Sequence, residues 1–134
     1  MAKVSEPAGG NSLTARGAAL LCAGSMLAFG FWAYFEPHSF AHFINYAPYN
    51  RHLIHDAGAF QIGIGVTTAL ASFCGDALLV ALIGFAVASG IHTVSHYLDR
   101  NIGGHDSDVP ELAIFPIIAL FGIYLQWGVR RSRR

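Results

Sequence analysis

Four apolar runs, each near the roughly 20 residues that a helix needs to cross a hydrocarbon core, restrict this chain to very few folds. They extend from about Thr14 to Phe35, Arg51 to Phe73, Asp76 to Tyr97 and Pro110 to Val129. Backbone polar groups in lipid must be satisfied within the segment, so runs of this length are read as helices. Of the 134 residues, 54% are hydrophobic and only 12% charged, which is too apolar for an ordinary soluble domain of this size. The expected fold is all-α, a four-helix transmembrane bundle with antiparallel up-down connections over residues 14–129. A flexible tail is expected over residues 1–13 and a basic tail over residues 130–134.

Each boundary has a chemical reason. The first run stops at Glu36-Pro37, and the second and third are separated only by Cys74-Gly75-Asp76, a link so short that the flanking helices must run antiparallel. Pro110 and Glu111 suit the first turn of the last helix, and Pro116 lies where it can kink it. The first run is too long, and ends in too many large aromatics (Phe31, Trp32, Tyr34, Phe35), to be a cleaved signal. Four spans place both termini on one side. Lys3, Arg16 and the four C-terminal arginines then oppose Arg51 and Arg100, and six against two predicts cytoplasmic termini. Segments 36–50 and 98–109 would face the extracytoplasmic side of a multi-pass cell-membrane protein. Phe40, Phe43, Tyr46 and Tyr49 suit an aromatic belt at that surface.

All seven histidines fall at this outer end. His52 and Asp56 are one helical turn apart near the start of the second run, and His92 and His96 are so placed near the end of the third. With the turn centred at residue 74, His52 stands at the height of His96 and Asp56 at the height of His92. Deeper layers would pair Ala59 with Ser89, Gly63 with Phe85 and Thr67 with Ala81, a small-residue seam for close helix approach. Adjacent helix axes are roughly 8–10 Å apart, a gap that His and Asp side chains can bridge through a shared ion.

His52, Asp56, His92 and His96 are therefore the expected ligands of a divalent transition metal, zinc, copper or iron, because imidazole suits these ions and a carboxylate offsets their charge. His55 and Asp99 are the expected supporting or additional groups, and Gln61 needs a partner wherever it points. The bland alternative is a hydrogen-bonded polar network among the same residues. His38, His42 and the His105, Asp106, Asp108 group read as solvated positions, with a lid role open to the last loop. Gly63-Ile64-Gly65 lies mid-span with no preceding strand and is no dinucleotide fingerprint. Cys22 and Cys74 have neither disulfide-framework nor zinc-motif spacing, and no basic-aromatic surface points to nucleic acid.

The stretch Pro48-Tyr49-Asn50-Arg51-His52-Leu53-Ile54-His55-Asp56-Ala57-Gly58-Ala59, followed by His92-Thr93-Val94-Ser95-His96, resembles small four-helix bacterial membrane proteins. In these, P-Y-N-x-H-L-x-x-D-x-G-A opens the second helix and H-x-x-x-H closes the third. The resemblance covers most of the chain from the first helix onward, implies the four-helix layout, and marks His52, Asp56, His92 and His96 as matching positions. It implies no activity. The layout is also loosely similar to that of DoxX-like proteins, by architecture alone. Three functions fit: a metal-binding protein acting as an oxidoreductase or accessory to one; a haem protein with histidine axial ligands; or a non-catalytic subunit or proton relay. Expected partners are the lipid bilayer and a homo-oligomer or larger membrane complex.

Overall fold

A computed structural model describes residues 12–75 and 77–132. They form five α-helices: α1 (Leu13–Phe35), α2 (Pro37–Phe43), α3 (Arg51–Ala71), α4 (Ala77–Leu98) and α5 (Asp108–Arg131). Of the expected tails, residues 1–11 and 133–134 lie outside the described residues, as does Asp76 of the short turn. Leu13 already opens α1, and Arg130 and Arg131 belong to the last turn of α5, where they complement the helix dipole.

Local chemistry accounts for the ends. The Ser12 hydroxyl accepts from Ala15 N at the start of α1, and the Asn50 side chain accepts from Leu53 N at the start of α3. Pro37 occupies the first turn of α2, where its missing N–H is no loss. This helix is a fifth element inside the segment expected to lie along the membrane. It turns Phe40 and Ala41 inward onto Ala33 and Ile54, and Trp32 packs on both Phe40 and Phe43.

Small residues set the packing. Ala15, Ala19, Cys22 and Ala119 form the centre of the core with Leu78, Leu82 and Phe85. The most extensive helix contact is α1 with α3, followed by α4 with α5 and then α1 with α5, whereas α3 and α4 touch sparingly. A Cβ on Gly58 would lie 2.8 Å from both Gly30 O and Tyr34 N, and one on Gly65 would lie 2.8 Å from Leu27 Cγ and 3.1 Å from Ala23 O. Gly58 meets the C-terminal part of α1 and Gly65 the middle, so α1 and α3 run antiparallel. Leu82 lies against Gly122 while His96 meets Asp108, so α4 and α5 do too.

This packing corrects the expected seam. Gly63 has open space around its Cβ position, and Ala59, Gly63 and Thr67 are exposed. The face that α3 buries carries Ile54, Gly58, Gly65 and Thr68, and Ile64 reaches the central core. A short turn compels α3 and α4 to be neighbours in the chain but does not choose which face each presents. Gly58 and Gly65, two turns apart, allow the backbone of α3 to lie against α1, and that closer packing sets its rotation.

Large apolar side chains point outward: Val80, Val87 and Ile91 on α4, Ile117, Phe121 and Tyr124 on α5, Leu21 and Phe35 on α1. A core rich in alanine beneath a shell of many large apolar residues departs from the soluble pattern and suits contact with lipid. Three helices are long and apolar enough to cross a membrane, Leu13–Phe35, Ala77–Leu98 and Asp108–Arg131. The 21-residue α3 is not among them, because Arg51, His52, His55, Asp56 and Gln61 lower its hydropathy.

Candidate functional site

The C-terminal ends of α1 and α4 and the N-terminal ends of α3 and α5 meet at one end of the molecule, with α2 and the 99–107 loop beside them. On α3, His52 Nε2 lies 3.4 Å from Asp56 Oδ2, with the two side chains 88% and 50% exposed. Both belong to the stripe that continues through Ala59, Gly63 and Thr67, the exposed face of α3. His55 turns elsewhere, its ring stacked on Tyr34 of α1 at 5.2 Å.

On α4 the rings of His92 and His96 stand edge to face, 4.7 Å between centroids. His96 Nδ1 is 3.2 Å from Oδ2 of Asp108, with the side chains only 32% and 19% exposed. The structure thus joins His52 with Asp56, and His92 with His96 and Asp108. It does not gather the four expected ligands: among the described residues, no group of three or more His, Cys, Asp or Glu side chains has the geometry to hold a metal ion. The physical reason is the rotation of α3 onto α1. Equal height along two helices is not enough when His52 and Asp56 lie on an exposed face of α3 and His92 is exposed as well.

The carboxylate at His96 is Asp108, not Asp99. Asp108 Oδ2 also accepts from the backbone N–H of His105 at 2.9 Å. His105 Nε2 lies 3.0 Å from the Phe43 carbonyl, which can only accept, so Nε2 carries the hydrogen. Asn45, at a φ of 53° that Asn tolerates, donates from Nδ2 to Gly104 O at 3.1 Å. The loop is therefore fastened to the end of α2 at two points and to α5 at a third. Gly104 is required here on two counts, its φ of 82° and the position of Asp108 Oδ2, which any Cβ would strike.

Further polar groups extend inward. Ser89 Oγ donates to Phe85 O at 2.7 Å and Thr93 Oγ1 to Ser89 O at 2.9 Å, so both hydroxyls spend their hydrogen on their own helix. Gln61 Oε1 is buried without a hydrogen-bond partner. The expectation that Gln61 needs a partner identified the residue, and the fold leaves that oxygen unsatisfied. His38 packs its ring against Tyr49 at 5.2 Å, away from α4.

Asp108 was the residue that sequence reasoning placed in a solvated loop. Reflection about residue 103, the middle of the α4–α5 connection, sets His96 opposite Pro110, two residues past Asp108, so the spacing alone does not single out Asp108. No protein family, curated protein or solved structure matches the chain.

Proposed function

We propose that this chain is a multi-pass membrane protein that binds a divalent transition metal at its histidine end, with His92 and His96 as the central ligands. One observation carries the reading: two imidazoles one helical turn apart, their rings 4.7 Å between centroids, on a helix apolar enough to cross a membrane. Ionisable groups in such a helix are costly and are functional by default. Neutral imidazole suits zinc, copper and iron, and a site with an open position would support Lewis-acid or redox chemistry. A haem iron takes axial ligands from opposite sides, and two histidines on one helix face suit a non-haem ion better. His52 and Asp56 would join the ligand set only through rotation of α3.

In this reading α3 is the fourth span of a four-helix bundle. Its packing along α1 from Gly58 to Gly65 covers about 10 Å of rise. Phe60, Val66 and Leu70 on its outer side are exposed as lipid-facing residues are. Four spans set both termini on the arginine-rich cytoplasmic side and the histidine end outside.

The test is elemental analysis with an absorption spectrum on the full chain purified in detergent. A stoichiometric metal that is lost on His92→Ala with His96→Ala supports the site, and a Soret band would identify haem instead. Native protein purified without chelator that is colourless and metal-free refutes the reading. A second reading, a subunit of a homo-oligomer or larger membrane complex, is favoured by the His52–Asp56 pair, an ion-pairing couple on an exposed helix face. Copurifying chains, or a native assembly larger than one copy that dissociates on Asp56→Ala, would favour it.

A further inference from the structure

We infer that Asp108 is the positioning residue of the histidine pair: its Oδ2 holds His96 with hydrogen on Nδ1 and the Nε2 lone pair bare, and ties that state to the loop folded onto α2. The inference rests on the metal-binding reading for its purpose but not for its geometry.

A carboxylate accepts hydrogen bonds and cannot donate them, so the 3.2 Å contact to Nδ1 is favourable with the hydrogen there, in the neutral ring as in the imidazolium. In the neutral ring the other nitrogen is then an acceptor, the form in which imidazole binds metal. A metal-binding histidine commonly gives its second N–H to a carboxylate, which orients the ring and raises its basicity. The same oxygen accepts the His105 N–H at 2.9 Å, while the His105 ring donates to Phe43 O and Asn45 to Gly104 O. One atom thus belongs both to the orientation of His96 and to the fastening of the loop. The first turn of α5 also suits a carboxylate, because free backbone N–H groups there favour negative charge. That helix-end preference would be met equally by an Asp pointing into solvent. The side chain is instead 19% exposed, and the one oxygen serves two donors from separate elements.

The experiment uses the full chain in detergent micelles, labelled with nitrogen-15 at histidine, in the native form and as Asp108→Ala and Asp108→Asn. Nitrogen shifts report the His96 tautomer, hydrogen exchange reports the His105 amide, and Co²⁺ titration followed by absorption reports the site. The native chain is expected to show His96 hydrogen on Nδ1 and a protected His105 amide. In Asp108→Ala, His96 should move to the Nε2–H form that free histidine prefers, the His105 amide should lose protection, and Co²⁺ should bind about 10- to 100-fold more weakly. Asp108→Asn retains an acceptor oxygen and should keep the Nδ1–H form with a smaller loss of affinity. A native His96 with hydrogen on Nε2 overturns the inference even if neither variant folds, and so does an Ala variant with unchanged tautomer and protection. If tautomer and exchange respond as stated while the native chain takes up no Co²⁺, the metal reading fails and the positioning role stands.

Discussion

Gly58→Ala and Gly63→Ala make the same chemical change on the same helix, five residues apart, and are expected to differ in sign. At Gly58 the new methyl would sit 2.8 Å from two backbone atoms of α1, Gly30 O and Tyr34 N. Ordinary contact begins at 3.4 Å, so α1 and α3 must separate by about 0.6 Å at this point, where no flexible side chain can yield. Overpacking of this kind costs about 1–3 kcal/mol. The helix-propensity gain of Ala over Gly returns at most about 1 kcal/mol, so a net loss of up to about 3 kcal/mol is expected. At Gly63 nothing lies within 4 Å, so only the propensity gain operates and stability should rise by up to about 1 kcal/mol. Denaturant titration of the detergent-solubilised chain, followed by circular dichroism, measures both. A Gly63→Ala variant that loses more stability than Gly58→Ala would mean that α3 turns its other face to the bundle, and would restore the expected seam with α4.

Asp56→Ala should change stability by less than about 1 kcal/mol, since exposed ion pairs contribute little; a larger loss in the same titration would show that the pair is covered. Single cysteines introduced at Ser107 and at Ser132, each in a Cys74→Ser background, should differ in whole cells. Ser107→Cys should react with an impermeant maleimide and Ser132→Cys should not; the reverse labelling would invert the topology, and labelling of both would show that α5 does not cross the membrane. His52→Ala with Asp56→Ala should leave metal content near native if His92 and His96 are the central ligands, and a loss matching that of His92→Ala with His96→Ala would restore the four-residue site. His105→Ala removes the ring bond to Phe43 O and should raise amide exchange in the 99–107 loop while leaving the His96 tautomer unchanged; no change in loop exchange would show that the ring does not fasten it.

How far the spacing alone could be read is clearest from two hairpins. Reflection about residue 103, the centre of the α4–α5 connection, places His96 opposite Pro110 and Leu82 opposite Tyr124, within two residues of the observed contacts with Asp108 and Gly122. The same construction about residue 74 places His52 opposite His96 and Gly63 opposite Phe85. There Phe85 packs in the central core while Gly63 and the His52–Asp56 pair are exposed. The difference lies in what each helix meets besides its hairpin partner. α4 has its main contact with α5, so the hairpin sets its rotation, whereas α3 has its main contact with α1.

From the chain alone follow the long apolar helices, with ends within a few residues of those observed, and the collection of the histidines at one end. Both depend on local quantities: the length of apolar runs, capping residues such as Ser12 and Asn50, and the fixed rise per residue that converts sequence distance into height. Tertiary structure alone decides which histidines share an environment. Rotation about a helix axis is settled by the closest packing among all neighbours at once. Gly58 and Gly65 against Gly30, Leu27 and Ala23 draw α3 onto α1 and leave His52 and Asp56 on an exposed face, while the packing of α4 on α5 makes Asp108 the carboxylate that His96 meets.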